Sequence, residues 1–112
     1  MGSGQGQVER WDVAYRLKFS GRAVREIGEA HDWYEERSPG LGSEFQLAFE
    51  LQLKRVEQVP LMFPELLPGI RRTLLPRFPY GVFYAVRLDL VHVLAVIHNV
   101  RDPKRWPREN AR

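Results

Sequence analysis

The sequence of 112 residues contains no cysteine, so the protein forms no disulfide bond and uses no thiolate chemistry. Its only histidines are His31, His92 and His98, and their spacing matches no zinc-binding pattern, so no metal site is predicted. No apolar run approaches the ~18 residues that a membrane span requires, and the N-terminus lacks a signal-peptide pattern. These absences favour a cytoplasmic protein without metal, cofactor or membrane partner.

Length and composition predict a single globular domain. The chain has 44% hydrophobic and 28% charged residues, which is ordinary for a protein that buries one core. Its first seven residues, MGSGQGQ, are small and polar. We therefore expect a flexible segment at residues 1–10, one domain at 11–106 and a C-terminal tail at 107–112.

The charges are segregated along the chain. Residues 1–69 carry 8 Lys/Arg against 11 Asp/Glu, a net charge of −3, whereas residues 70–112 carry 9 against 3, a net charge of +6. A basic half favours an anionic partner such as nucleic acid or an acidic peptide. A soluble protein whose charges merely segregate explains the same pattern equally well.

The first part of the domain predicts one strand and one helix. Apolar residues occupy alternate positions between Trp11 and Phe19, and this period of two is typical of a half-buried strand. Ser20 can cap a helix, and apolar residues recur at helical spacing from Val24 onward. We therefore expect a helix over residues 21–36.

A second helix should follow after the short break Ser38-Pro39-Gly40, which implies an antiparallel helical hairpin. Ser43 and Gln46 have the spacing of a capping box, so this helix is predicted to start at Pro39 or Ser43 and to reach Pro60. It carries one apolar stripe, formed by Leu41, Phe45, Phe49, Leu53 and Val56.

Three strands should follow an irregular connector that is rich in proline between Pro60 and Gly69. They are predicted at residues 70–75, 80–87 and 90–98, and only Leu88 and Asp89 separate the last two, which indicates a tight hairpin. The last strand is almost continuously apolar and is expected to be central. The predicted fold class is α+β, with an N-terminal strand, a helical hairpin and a three-stranded antiparallel sheet packed on the helices.

The strands also carry a candidate binding surface. Arg71 and Arg72 are adjacent on one strand, so their side chains must point to opposite faces. If the same-face residues coincide on the open face, an arginine, two tyrosines and a histidine could bind phosphate and stack on bases. Alternatively, the tyrosines are ordinary strand residues and the arginines only pair with carboxylates. The even spacings define two same-face pairs, Tyr80 with Tyr84 and His92 with His98.

Three stretches in this order carry a family resemblance: DWYEER at 32–37, RRTLLPRFPYGVFY at 71–84 and VIHNVRDP at 96–103. Together with the element order, they make residues 11–106 similar to the RelE/ParE superfamily of bacterial type II toxins. The resemblance implies a RelE/ParE-like fold and a cytoplasmic toxin that arrests growth, stabilises plasmids and is neutralised by a cognate antitoxin. RelE-like members cleave mRNA in the ribosomal A site, whereas ParE-like members poison DNA gyrase.

For an mRNA endoribonuclease, the resemblance implies a catalytic group formed by His98 as base with Arg72, Arg101 and Tyr84. RelE-like nucleases place an arginine directly after the aromatic residue of the FPY motif, where this chain has Gly81. The family pattern therefore favours a ParE-like, non-nucleolytic arrest such as gyrase inhibition. A RelE-like nuclease, and a small RNA-binding or inactive domain of the same fold, remain the alternatives.

Partner binding is expected on the basic half of the chain. A cognate acidic antitoxin should combine charge contacts with an apolar anchor near Leu61, Met62 and Phe63. Without the antitoxin, the same surface could form a homodimer. The residues expected to contact the antitoxin, gyrase or the ribosome with its mRNA are Arg71, Arg72, Arg77, Tyr80, Arg101, Lys104 and Arg105.

Overall fold

The structure, a computed structural model, describes residues 15–99 and 105–107, and it confirms the α+β class. The predictions for residues 1–14, 100–104 and 108–112 lie outside these ranges. Neither described helix combines the length and apolar character needed to cross a membrane. The elements in chain order are β1 (Arg16–Phe19), α1 (Gly21–Arg37), α2 (Leu41–Gln58), β2 (Glu65–Leu67), β3 (Ile70–Leu74), β4 (Tyr80–Arg87) and β5 (Leu90–His98).

The junction of β1 and α1 follows the sequence pattern closely. Exposed and half-buried residues alternate along β1, as a period of two requires. The predicted cap is confirmed, because Ser20 Oγ accepts a hydrogen bond from the Ala23 amide at 3.0 Å. The same hydroxyl donates to the Leu94 carbonyl at 2.9 Å, which ties the start of α1 to β5.

The predicted capping box of α2 is wrong. The N-cap is Gly40, in a left-handed conformation with φ 89°, and Ser43 lies inside the helix. The Glu35 carboxylate of α1 accepts hydrogen bonds from the Gly40 and Gly42 amides, both at 2.9 Å. The carboxylate of the preceding helix thus satisfies amides at the start of α2, which a side chain of the N-cap residue would otherwise have to do.

The connector contains a strand that the sequence pattern did not predict. β2 pairs antiparallel with β3, with an irregular register between Glu65 and Leu67. It lies at the edge of a five-stranded sheet with the order β1-β5-β4-β3-β2, where Pro64 and Pro68 can flank it because an edge strand pairs on one side only. The sheet therefore has five strands, because β2 and the N-terminal strand β1 both join the three strands that were predicted to form it.

β5 is an interior strand of the sheet, as its apolar sequence predicted, although the middle strand is β4. β5 pairs in parallel with β1 on one side and antiparallel with β4 on the other. The two-residue hairpin is also confirmed, and Leu88 adopts a positive φ of 53° in it. Asp89 accepts a bidentate contact from Arg16, at 3.2 and 3.3 Å, which fastens the hairpin to β1.

Apolar residues cover both faces of the sheet. On the helix face, α2 contributes the predicted stripe, in which Phe45, Phe49, Leu53 and Val56 are buried. The strands meet it with Tyr80, Val82, Tyr84, Val91, Val93 and Val96. The opposite face has a second cluster that includes Trp106, so it is not an open polar surface; its buried members are Ile70, Phe83, Ala85, Leu94, Ala95 and Ile97.

A β-bulge in β5 changes which residues share a face. Tyr84 pairs with Val93 and Phe83 pairs with Ala95, so Leu94 is the extra residue between them. The alternation of side chains is therefore reversed beyond this point. His92 pairs with Ala85 on the opposite face, whereas His98 pairs with Tyr80 on the helix face. The prediction that the two histidines share a face is wrong.

Candidate functional site

Both candidate tyrosines lie on the helix face. Tyr84 is fully buried, and its hydroxyl donates to the Pro60 carbonyl at 2.6 Å. Burial raises the pKa of Tyr84 to about 12, although the nearby charge of Arg71 acts in the opposite direction. Tyr80 packs edge-on against Phe45, with ring centroids 5.2 Å apart. The predicted convergence of two tyrosines, an arginine and a histidine on the open face is therefore wrong.

The two adjacent arginines do point to opposite faces, as predicted. Arg71 pairs with Tyr84 on the helix face, where its Nη1 donates to the carbonyls of Leu61 at 3.1 Å and Phe63 at 2.7 Å. These bonds give Arg71 a role in holding the connector between α2 and β2. Arg72 pairs with Phe83 on the opposite face.

Gly81 leaves the space in which the Arg72 side chain lies. A Cβ atom at Gly81 would come within 2.9 Å of Arg72 Cδ and 3.3 Å of Asn99 Oδ1. The Arg72 guanidinium carbon is 5.6 Å from the centroid of the Trp106 ring, which in turn lies 5.5 Å from the Phe83 ring. The sequence pattern marked Gly81 only as a missing arginine, whereas the close approach of Arg72 explains the glycine.

His98 lies at the end of β5 beside a cleft of about 350 Å³. The imidazole contacts Tyr80 edge-on, with ring centroids 5.3 Å apart. The sheet separates this cleft from Arg72 on the opposite face. The described members of the predicted catalytic group therefore do not converge. The cleft is lined by side chains of α1, β4 and β5 together with the C-terminal segment, including Glu26, Glu29, Trp33, Tyr34, Tyr80, His98 and Arg105.

The remaining basic candidates are dispersed. Arg77 is exposed and forms an ion pair with Glu44 of α2 at 2.9 Å. Arg105 lines the cleft, and its carbonyl accepts a hydrogen bond from Arg22 Nη2. Arg101 and Lys104 lie outside the described residues. The binding roles of these residues stay predictions, and within residues 15–99 and 105–107 no group of His, Asp and Glu side chains is arranged to hold a metal ion.

An apolar groove between β1, α1 and α2 is a feature that the sequence analysis missed. Its volume is about 560 Å³, and charged side chains such as Lys54 and Glu57 lie among its lining. The groove leaves an apolar side chain of α1 in contact with solvent, since Val24 is 59% exposed. Of the predicted anchor residues, Leu61 and Met62 are exposed. The apolar lining consists of Leu17, Phe19, Val24, Ile27, Phe49 and Leu53.

A family model matches most of the chain. The model describes the ParE toxin of the type II toxin–antitoxin system parDE, and it matches residues 17–103. No curated protein sequence matches the chain.

Solved toxin structures share the fold. A structure of the chromosomal ParDE toxin–antitoxin system from P. aeruginosa aligns with 21% identity and a TM-score of 0.69, covering 78% of this chain and 98% of the other. The intact RelBE toxin–antitoxin complex of E. coli aligns with 25% identity and a TM-score of 0.58, covering 79% and 100%. The isolated E. coli RelE toxin aligns with 24% identity and a TM-score of 0.59, covering 80% and 88%.

Proposed function

This chain belongs to the ParE toxin family of type II toxin–antitoxin systems, and we propose that it arrests growth without cleaving RNA, by inhibiting DNA gyrase. The toxin acts in the cytoplasm, where gyrase and its DNA are found. An inhibitor of this kind needs a shaped surface of suitable charge and no catalytic base. The basic second half of the chain, with a net charge of +6, supplies that charge.

The observation that carries this proposal is the separation of the predicted catalytic residues. An RNA-cleaving site needs a base and cationic groups around one phosphate. Arg72 and His98 lie on opposite faces of the sheet. The bulge at Leu94 causes this, because it reverses the alternation of side chains along β5 before His98. Tyr84 is fully buried, and its hydroxyl donates to the Pro60 carbonyl at 2.6 Å, so it is not placed to contact a phosphate.

Two assays with the purified toxin test the mechanism: supercoiling of a plasmid by gyrase, and translation of a defined mRNA by purified ribosomes. We expect inhibited supercoiling and intact mRNA. His98→Ala should inhibit supercoiling as well as the wild type does, and His92→Ala, on the other face of the same strand, is its matched control. A chain truncated after Val100 should not inhibit. Codon-dependent mRNA cleavage that His98→Ala abolishes would refute the proposal and establish the nuclease.

We further propose that a cognate acidic antitoxin neutralises the toxin. An apolar segment of the antitoxin would occupy the groove between β1, α1 and α2, which has apolar residues exposed on it. Acidic residues of the antitoxin would contact the basic half of the toxin. The named assemblies of P. aeruginosa and E. coli are toxin–antitoxin systems, which supports a partner of this class here.

Binding measurements separate the two contributions to antitoxin affinity. Salt should weaken the complex, and so should Arg72→Glu, whereas Val24→Asp should remove the apolar contribution with less effect on the salt dependence. A complex that is insensitive to salt and to Arg72→Glu would contradict the charge contribution. Sedimentation of the free toxin tests whether it forms the alternative homodimer. A short acidic reading frame beside the gene would identify the antitoxin.

A further inference from the structure

We propose that Arg22 and Glu26 of α1 are positioning residues that hold the C-terminal segment, residues 105–107, at the end of β5. By holding this segment they determine where the exposed basic residue Arg105 meets the target. The effect on the target rests on the proposed gyrase inhibition. The anchor itself does not depend on that function, so the two can be tested separately.

The contact between α1 and the segment is a short chain of charge-assisted hydrogen bonds. Glu26 Oε2 accepts from Arg22 Nε at 2.9 Å, and Arg22 Nη2 donates to the Arg105 carbonyl. The other carboxylate oxygen, Oε1, accepts from the Val96 amide at 2.8 Å. The side chains of Arg22 and Glu26 are only 32% and 10% exposed, so water competes weakly for these bonds.

The edge of β5 explains why Glu26 is needed at this point. β1 ends at Phe19, opposite Val93, so within the part of the chain that the structure describes β5 has no strand partner on that side beyond the bulge. Ser20 Oγ satisfies the Leu94 carbonyl, and Glu26 satisfies the Val96 amide. Side chains of α1 thus take the place of a strand, and a single carboxylate fixes both the edge of β5 and the direction of Arg22.

The segment is also held from the opposite face of the sheet. The Trp106 ring packs on the Phe83 ring, the Arg72 guanidinium lies over the Trp106 ring, and Pro107 is buried. On the other side of residues 100–104 in the sequence, the Asn99 amide donates to the Pro79 carbonyl at 2.7 Å. Arg105 is therefore held through its own carbonyl and through Trp106 beside it, which lowers the entropy that the chain loses when this cation binds a partner.

The chain offers a close internal control for this anchor. Arg25 and Glu29 form a second pair with the same spacing on α1, but their atoms are 3.8 Å apart and their side chains are 62% and 67% exposed. Within the described residues, this pair forms no hydrogen bond or ion pair with the C-terminal segment. A role that depended only on helix stability or on net charge would make the Arg22 and Arg25 variants equivalent.

The first experiment measures the position of Trp106 in a Trp11→Phe, Trp33→Phe background, in which Trp106 is the only tryptophan. Arg22→Ala should shift the emission of Trp106 to longer wavelength and increase its quenching by acrylamide. Arg25→Ala should leave both at the wild-type values. Arg22→Lys keeps the charge, but its single ammonium group lacks the separate Nε and Nη2 donors that contact Glu26 and the Arg105 carbonyl. We therefore expect a shift and quenching of Trp106 between those of Arg22→Ala and the wild type.

The second experiment measures the concentration that half-inhibits gyrase supercoiling. Arg22→Ala should raise this concentration about tenfold, the equivalent of one charge-assisted hydrogen bond, and Arg25→Ala should not change it. Arg22→Ala should add little to Trp106→Ala, because both substitutions release the same segment. Glu26→Gln keeps an acceptor for the Val96 amide but loses the ion pair, so it tests the anchor if Arg22→Ala fails to fold.

Two results would overturn the inference. One is a Trp106 residue that is equally shielded in Arg22→Ala, Glu26→Gln and the wild type, which would show that α1 does not hold the segment. The other is a released Trp106 with unchanged gyrase inhibition, which would show that the position of the segment does not matter. A wild-type toxin that leaves gyrase active would refute the proposed function, and Trp106 quenching would still decide whether the anchor exists.

Discussion

Tyr84→Phe removes one hydroxyl from the core and separates a structural role from a catalytic one. The hydroxyl donates to the carbonyl of Pro60 at 2.6 Å, and both residues are buried. The substitution removes this hydrogen bond and leaves the Pro60 carbonyl without its donor from Tyr84. An unsatisfied buried acceptor costs about 1–3 kcal/mol, so we expect the free energy of unfolding to fall by that amount.

Thermal unfolding gives the first measurement. A loss of 1 kcal/mol lowers Tm by about 4–8 °C in a domain of roughly 100 residues, so a loss of about 1–3 kcal/mol in Tyr84→Phe should lower Tm by about 4–24 °C. Tyr34→Phe is the control, because the Tyr34 hydroxyl makes no hydrogen bond within the described residues. Growth arrest and gyrase inhibition by Tyr84→Phe should remain at temperatures where the variant is folded.

The pH dependence gives the second measurement. Burial raises the pKa of Tyr84 to about 12 from an ordinary value of 10.0, so the folded state resists loss of this proton. The contribution of Tyr84 to stability is therefore complete below pH 10 and is lost as the pH rises towards 12. The wild type should lose more stability in this range than Tyr84→Phe does. An unchanged Tm combined with lost toxicity would refute the structural role and indicate a chemical one.

Three further predictions concern other parts of the fold. Ser20→Ala should lower the free energy of unfolding by about 1 kcal/mol in chemical denaturation, because the cap of α1 is lost; a change no larger than that of Ser43→Ala would contradict this. The Gly40 and Gly42 amides lower the pKa of Glu35, so the wild type should lose stability as the pH falls from 4.5 through that lowered value. In Glu35→Gln the free energy of unfolding should depend less on pH in this range, and Glu36→Gln is the control. Gly81→Ala should displace Arg72 and expose Trp106 in the single-tryptophan background, whereas Gly28→Ala, with open space around its Cβ, should raise stability by about 0.5–1 kcal/mol; an unshifted Trp106 in Gly81→Ala would contradict the steric explanation.

The elements that were predicted correctly are marked by features within their own stretch of sequence. β4 and β5 coincide with the predicted residues 80–87 and 90–98, because β-rich runs are separated by a two-residue turn. α1 is confirmed because its N-cap and its apolar period agree. β2 was missed because its sequence, ELL between prolines, carries no alternation of its own. This strand exists through its pairing with β3, which is a tertiary interaction.

The faces of the candidate residues depended on a feature that periodicity does not contain. The step from His92 to His98 is even, so a regular strand would place both side chains on one face. Between them, Val93, Leu94, Ala95, Val96 and Ile97 are all apolar, so either parity fits a sheet that is buried on both sides. Nothing local in such a run marks Leu94 as the unpaired residue.

The bulge is instead stabilised by residues that are distant in sequence. The Ser20 hydroxyl donates to the Leu94 carbonyl, and the Glu26 carboxylate accepts a hydrogen bond from the Val96 amide, 70 positions away in the sequence. These two α1 contacts favour the register in which His98 faces the helices, away from Arg72. The position of His98 relative to Arg72, on which the proposed mechanism rests, thus depends on how α1 is attached to the edge of β5, and a motif centred on His98 and Arg101 cannot encode it.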